Sequence, residues 1–115
     1  MSIDFKIGGG PVTLSVAISG TLRWNYSYAR DDKSIHLKGA DEHLKDYLMG
    51  LAVDLDNDID SWVVRVLNPT DGEQAYEIRL EWYQDGQSLE KWEKSGKVKA
   101  GNTTRHEGET WFLGE

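Results

Sequence analysis

The feature that most constrains this chain is a two-residue alternation of apolar and polar side chains. Val12, Leu14, Val16 and Ile18 alternate with Thr13, Ser15, Ala17 and Ser19. Leu22, Trp24, Tyr26 and Tyr28 alternate with Arg23, Asn25, Ser27 and Ala29, and Tyr76, Ile78, Leu80 and Trp82 with Glu77, Arg79 and Glu81. Successive side chains of a strand point to opposite faces, so each run is a strand with one buried face. Such a face must be covered by a second layer, and most of the rest of the chain also reads as strand.

Ile3, Phe5 and Ile7 form a short alternating run ended by Gly8-Gly9-Gly10-Pro11. The brief junction Ser19-Gly20-Thr21 predicts that the first two long strands form an antiparallel hairpin. Arg30-Asp31-Asp32-Lys33 reads as a turn, Ser34 to Lys38 as a short strand, and Trp62 to Leu67 as a strand rich in β-branched residues. Asn68 to Gly72 is a loop and Asp85-Gly86 a hairpin turn. Leu89 to Ser95, Lys97 to Ala100 and Thr110 to Leu113 complete the strands. One segment departs from this period: Leu44, Tyr47, Leu48 and Leu51 are spaced i, i+3, i+4, i+7 behind an N-capping Asp41. That spacing predicts one short helix near residues 41–50. The expected fold is mainly β, an antiparallel two-sheet β-sandwich of immunoglobulin-like or jelly-roll-like type carrying that helix. With 115 residues and no linker or repeat, the chain is expected to be a single domain over 1–115.

The stretch Val63-Val64-Arg65-Val66-Leu67-Asn68-Pro69-Thr70, the strand and turn Tyr76 to Gly86, and Ala100-Gly101-Asn102-Thr103 together resemble bacterial immunoglobulin-like sandwich modules. The resemblance covers about the last 50 residues. It implies a sandwich scaffold used for binding or adhesion. It carries over no functional residue, and the helix near Asp41 departs from its pattern.

Composition excludes several functions. There is no Cys, hence no disulfide, zinc-thiolate or thiol nucleophile. The net charge is −7, from 13 Lys and Arg against 20 Asp and Glu, and the basic residues are scattered. Phosphate backbones require clustered cations, so neither nucleic acid nor an anionic membrane is an expected partner. No apolar stretch approaches the ~20 residues of a membrane helix, so no membrane insertion is expected. The N-terminal residues carry no secretory signal, which reads as cytoplasmic, or as extracellular if a leader was removed.

Two features are candidates for a site. Asp54, Asp56, Asp58 and Asp60 are closely spaced hard oxygen donors, the first three at the first three ligand offsets of a calcium loop. Ile59 and Arg65, however, stand where that loop needs Gly and Glu, so the reading is an irregular calcium site or an acidic edge facing water. Four carboxylates on one strand face repel, and a cation or a Lys/Arg cluster relieves that. Calcium is the one cofactor these residues suggest, and no other is expected. The second feature is aromatic: Tyr83 lies on the opposite strand face from Trp82, and Trp92 sits within Glu90-Lys91-Trp92-Glu93-Lys94. Tyr83 and Trp92 are therefore the candidate ligand-binding residues. The pair His43-x-x-Asp46 is too common to mark catalysis, and no nucleophile elbow or phosphate loop occurs. The expected function is a non-enzymatic binding or interaction module, with a protein partner or self-association. A calcium-dependent carbohydrate-binding domain is the alternative, and a small hydrolase ranks below both.

Overall fold

The computed structural model describes residues 1–19, 22–39 and 43–115. Nine strands, β1 (Ser2–Phe5), β2 (Val12–Ile18), β3 (Arg23–Arg30), β4 (Lys33–Gly39), β5 (Leu44–Gly50), β6 (Ile59–Leu67), β7 (Gln74–Gln84), β8 (Gln87–Val98) and β9 (Thr103–Gly114), and one helical turn, α1 (Ala52–Leu55), make up the described chain. They form a five-stranded sheet of order β1-β9-β6-β3-β4 and a four-stranded sheet of order β5-β2-β7-β8. All pairings are antiparallel except β1 with β9. The two sheets pack face to face as a β-sandwich.

The alternation read from the sequence sets the two inner faces. Val12, Leu14, Val16, Tyr76, Ile78, Leu80 and Trp82 of the smaller sheet meet Trp24, Tyr26, Tyr28, Trp62, Val64 and Val66 of the larger, all buried. Two glycines sit directly opposite large rings, Gly108 across from Trp62 and Gly96 across from Tyr76. A Cβ at Gly108 would stand 2.6 Å from the Trp62 ring, and one at Gly96 would stand 2.7 Å from the Tyr76 hydroxyl oxygen. The rings lie over these glycines and take the space a side chain would occupy.

Only two links stay within a sheet. The β3–β4 hairpin turns at Asp31 and Asp32 (φ 49° and 63°), and the β7–β8 hairpin at Asp85 and Gly86 (φ 51° and 77°). Positive φ at both central residues matches the right-handed twist of the flanking strands, and Asp and Gly tolerate it. Every other link crosses between sheets.

That crossing corrects one expectation. β2 and β3 are not a hairpin: β2 pairs with β5 and β7, and β3 with β4 and β6. Each strand has a full apolar face, and placing them in opposite layers lets the two faces cover each other. A second correction concerns the helix near residues 41–50. Asp41 and Glu42 lie outside the described residues, but Leu44–Gly50 is strand β5 and the only helical turn described is Ala52–Leu55. The cause is a β-bulge. Leu14 faces Tyr47 and Val16 faces Leu44, so Lys45 and Asp46 together oppose Ser15, with Asp46 at φ 53°. One extra residue shifts the two-residue period and turns Leu44 and Tyr47 to the same face at a spacing of three, which imitates a helix. His43 and Asp46 are thus not a helical pair. No helix among the described residues is long and apolar enough to cross a membrane.

Candidate functional site

Strand β6 directs Trp62, Val64 and Val66 inward, and one step earlier the same alternation directs Asp60 inward, fully buried. Arg30, one step beyond Tyr28 on β3, meets it. Arg30 Nη2 donates to Asp60 Oδ2 at 2.7 Å, Arg30 Nε donates to Asp60 Oδ1, and Arg30 Nη1 donates to the Met49 carbonyl at 2.8 Å. The guanidinium also lies 5.4 Å from the Tyr28 ring centroid and 5.6 Å from that of Phe112. Burial pushes the Asp60 carboxyl up, and its bonds and attraction to Arg30 pull the other way. Burial opposes the Arg30 charge, but the Asp60 contact outweighs it and raises the guanidinium further. This pair ties β3, β5 and β6 together at one end of the sandwich.

The same end carries the acidic run. The Asp56 carboxylate accepts the Gly114 amide at 2.9 Å and anchors the loop to β9. Asp54 is exposed on α1. Partial burial raises the Asp58 carboxyl above the usual range, and Asp31, Asp60 and Asp54 add to the shift. The four aspartates named from the sequence are therefore not one ligand set, because both Asp60 oxygens are engaged by Arg30. Among the described residues no group of three or more His, Asp or Glu is set to hold a metal ion. The repulsion expected of the run is relieved at Asp60 by an arginine from another strand.

Tyr83 and Trp92 lie on opposite faces of the smaller sheet. Tyr83 is half-exposed on the outer face of β7 and hydrogen-bonds Glu81, which also accepts Ser88 Oγ at 2.6 Å. Those bonds hold the Glu81 carboxyl below its ordinary value and push the Tyr83 hydroxyl up. Trp92 faces inward from β8. Its ring stands edge-on to Trp62 at 5.1 Å and 6.0 Å from His106, whose Nε2 bonds the Tyr76 hydroxyl at 2.9 Å. These rings close the seam between the sheets.

The surface that sequence reasoning missed is apolar. Among the described residues seven large hydrophobic side chains are exposed, and six of them lie at the α1 end: Met1, Leu48, Leu51, Val53, Ile59 and Trp111. Ile59 and Trp111 are directly opposed on neighbouring strands and both face out, each 47% exposed. Met1 lies beside them through its carbonyl, which accepts the Trp111 amide. Leu51 and Val53 flank buried Ala52 and Leu55 on α1, with Val53 67% exposed. The available signal was the alternation in β9: Thr110 and Phe112 are buried, so Trp111 must face out. Comparison with known protein families, curated proteins and solved structures gives no match to this chain.

Proposed function

We propose that this chain is a non-enzymatic interaction module, a sandwich that presents its α1 end to a protein partner. One observation carries the reading: among the described residues, six of the seven exposed large apolar side chains lie at α1 or at strand ends next to it, two of them as the cross-strand pair Ile59–Trp111. Neighbouring exposed apolar side chains, such as that pair with Met1 beside it, mark interaction sites, and Trp is among the residues enriched at their centres. The likeness of the C-terminal half to immunoglobulin-like modules points the same way. The test is affinity capture with the wild type beside Ile59→Ser/Trp111→Ser, with light scattering to detect self-association. A protein retained by the wild type and lost by the double variant, or an oligomer the variant abolishes, supports the reading. Retention and mass that ignore the variant overturn it.

A second reading, carbohydrate binding, is favoured by an open depression of about 540 Å³ on the outer face of the larger sheet. The hydroxyls of Ser27, Ser34 and Ser61 line it with His36, Glu107 and Glu109. Trp111 is two residues from Glu109 on the same face. The described carboxylates form no group set to hold a metal ion, so this reading does not rest on calcium. Retention on a glycan matrix would favour it, and no retention with or without calcium would remove it.

A further inference from the structure

The apolar end is also the acidic end. Asp54 on α1 and Asp56 and Asp58 after it are interspersed along the chain with Leu51, Val53 and Ile59, and Asp31, beside Asp32 at the β3–β4 turn, is close enough to Asp58 to raise its carboxyl. Among the described residues none of these five carboxylates forms an ion pair. The nearby cations are mostly engaged, Arg30 with Asp60 and Lys6 with Glu115 at 2.9 Å, while exposed Lys33 follows the turn. We propose that this end docks a segment of a partner protein whose apolar side chains are flanked by Lys or Arg; the inference rests on the interaction reading above.

Three physical points select this occupant. Apolar side chains of the partner remove Trp111, Ile59, Leu51 and Val53 from water, which supplies the affinity. Lys or Arg at its flanks meets carboxylates that form no ion pair among the described residues, which supplies specificity and a fast encounter. A second copy docked through the same surface would set both groups of aspartates against each other, since a two-fold interface repeats one patch on both sides. The mutual effect of these groups is already felt within one chain, where Asp31 and Asp54 help to raise the Asp58 carboxyl. A chain of net charge −7 is likewise repelled by anionic lipid and nucleic acid.

The test uses a labelled amphipathic peptide of Leu and Lys, a matched peptide of Leu and Glu, and one of Ser and Lys. Binding is followed by fluorescence anisotropy and mapped by amide chemical shifts on the whole chain. The Leu/Lys peptide is expected to bind, to shift α1, Ile59 and Trp111, and to weaken about tenfold when ionic strength rises from about 0.02 to about 0.3 M. Trp111→Ser should weaken it roughly 30-fold, the loss typical of a central Trp anchor. Leu51→Ser/Val53→Ser tests the same surface from a separate element, should Trp111→Ser disturb β9. Asp31→Asn/Asp32→Asn/Asp54→Asn should abolish most of the salt dependence, and Asn tolerates the positive φ of the turn.

Equal binding of the Leu/Glu peptide, full binding of the Ser/Lys peptide, or shifts on another face overturn the inference. So does a dimer in light scattering that the apolar variants dissociate. If a captured protein depends on Trp111 but not on the three aspartates or on salt, the interaction reading stands and the cationic partner falls. If neither peptide nor captured protein depends on this end, both fall.

Discussion

Removal of the Asp60 carboxylate tests the energetic centre of the α1 end. The Asp60 side chain is 1% exposed and that of Arg30 16%, and Arg30 donates both its Nε and Nη2 groups to it. In Asp60→Ala the guanidinium keeps only the Met49 carbonyl and its place beside the Tyr28 and Phe112 rings. A buried charge stripped of its partner costs about 3–5 kcal/mol. For a domain of this size, at roughly 3–6 °C per kcal/mol, that lowers Tm by about 10–30 °C. The urea midpoint should fall by about 2 M if m is near 2 kcal/mol/M. The decisive comparison is Arg30→Met/Asp60→Leu. It removes both charges and leaves the Met49 carbonyl unpaired, a cost of about 1–3 kcal/mol. The double variant should therefore be more stable than Asp60→Ala, although it carries one more substitution. Urea denaturation of the wild type, Arg30→Met, Asp60→Leu and the double variant closes the cycle, with Asp60→Ala measured beside them. Asp60→Ala within about 1 kcal/mol of the wild type, or a double variant less stable than Asp60→Ala, would refute the buried-pair reasoning.

Gly108→Ala should cost about 1–3 kcal/mol in thermal melts, because its Cβ would stand 2.6 Å from the Trp62 ring. Gly72→Ala, with nothing within 4 Å, should leave Tm nearly unchanged, and equal effects at the two sites would disprove the packing account. Burial, with the Lys94 charge as the second cause, lowers the His106 pKa below its ordinary 6.5. The native state thus binds fewer protons than the unfolded chain in the window just below pH 6.5, and stability present above that pH is lost as pH falls through the folded value. His106→Phe should remove that part of the pH dependence, and an NMR titration placing His106 at or above 6.5 would contradict it. Trp111→Phe should abolish most iodide-quenchable, red-shifted emission while changing stability by less than about 0.5 kcal/mol, since Trp24, Trp62 and Trp82 are buried. Unchanged quenching would mean that Trp111 is not the exposed indole.

What the sequence determined is what depends on near neighbours. The alternations in β2, β3 and β7 name the buried side chains because the pleat has a period of two. Asp31-Asp32 and Asp85-Gly86 name two turns because few residues accept positive φ. The same alternation, carried one two-residue step past Tyr28 on β3 and one step before Trp62 on β6, would have placed Arg30 and Asp60 indoors, and in β9 it would have turned Trp111 out. Tertiary structure alone decided the rest. The spacing of Leu44 and Tyr47 fits a helix or a bulged strand equally, and only pairing with Leu14 and Val16 selects the strand. Whether β2 and β3 share a sheet depends on which apolar faces cover each other, a choice that involves residues far along the chain. The acidic run reads as a single ligand set until Arg30, thirty residues away, takes Asp60 into the core and leaves the other aspartates beside an apolar end. A pair that distant is brought together by packing of the sheets, and local sequence preference carries no record of it.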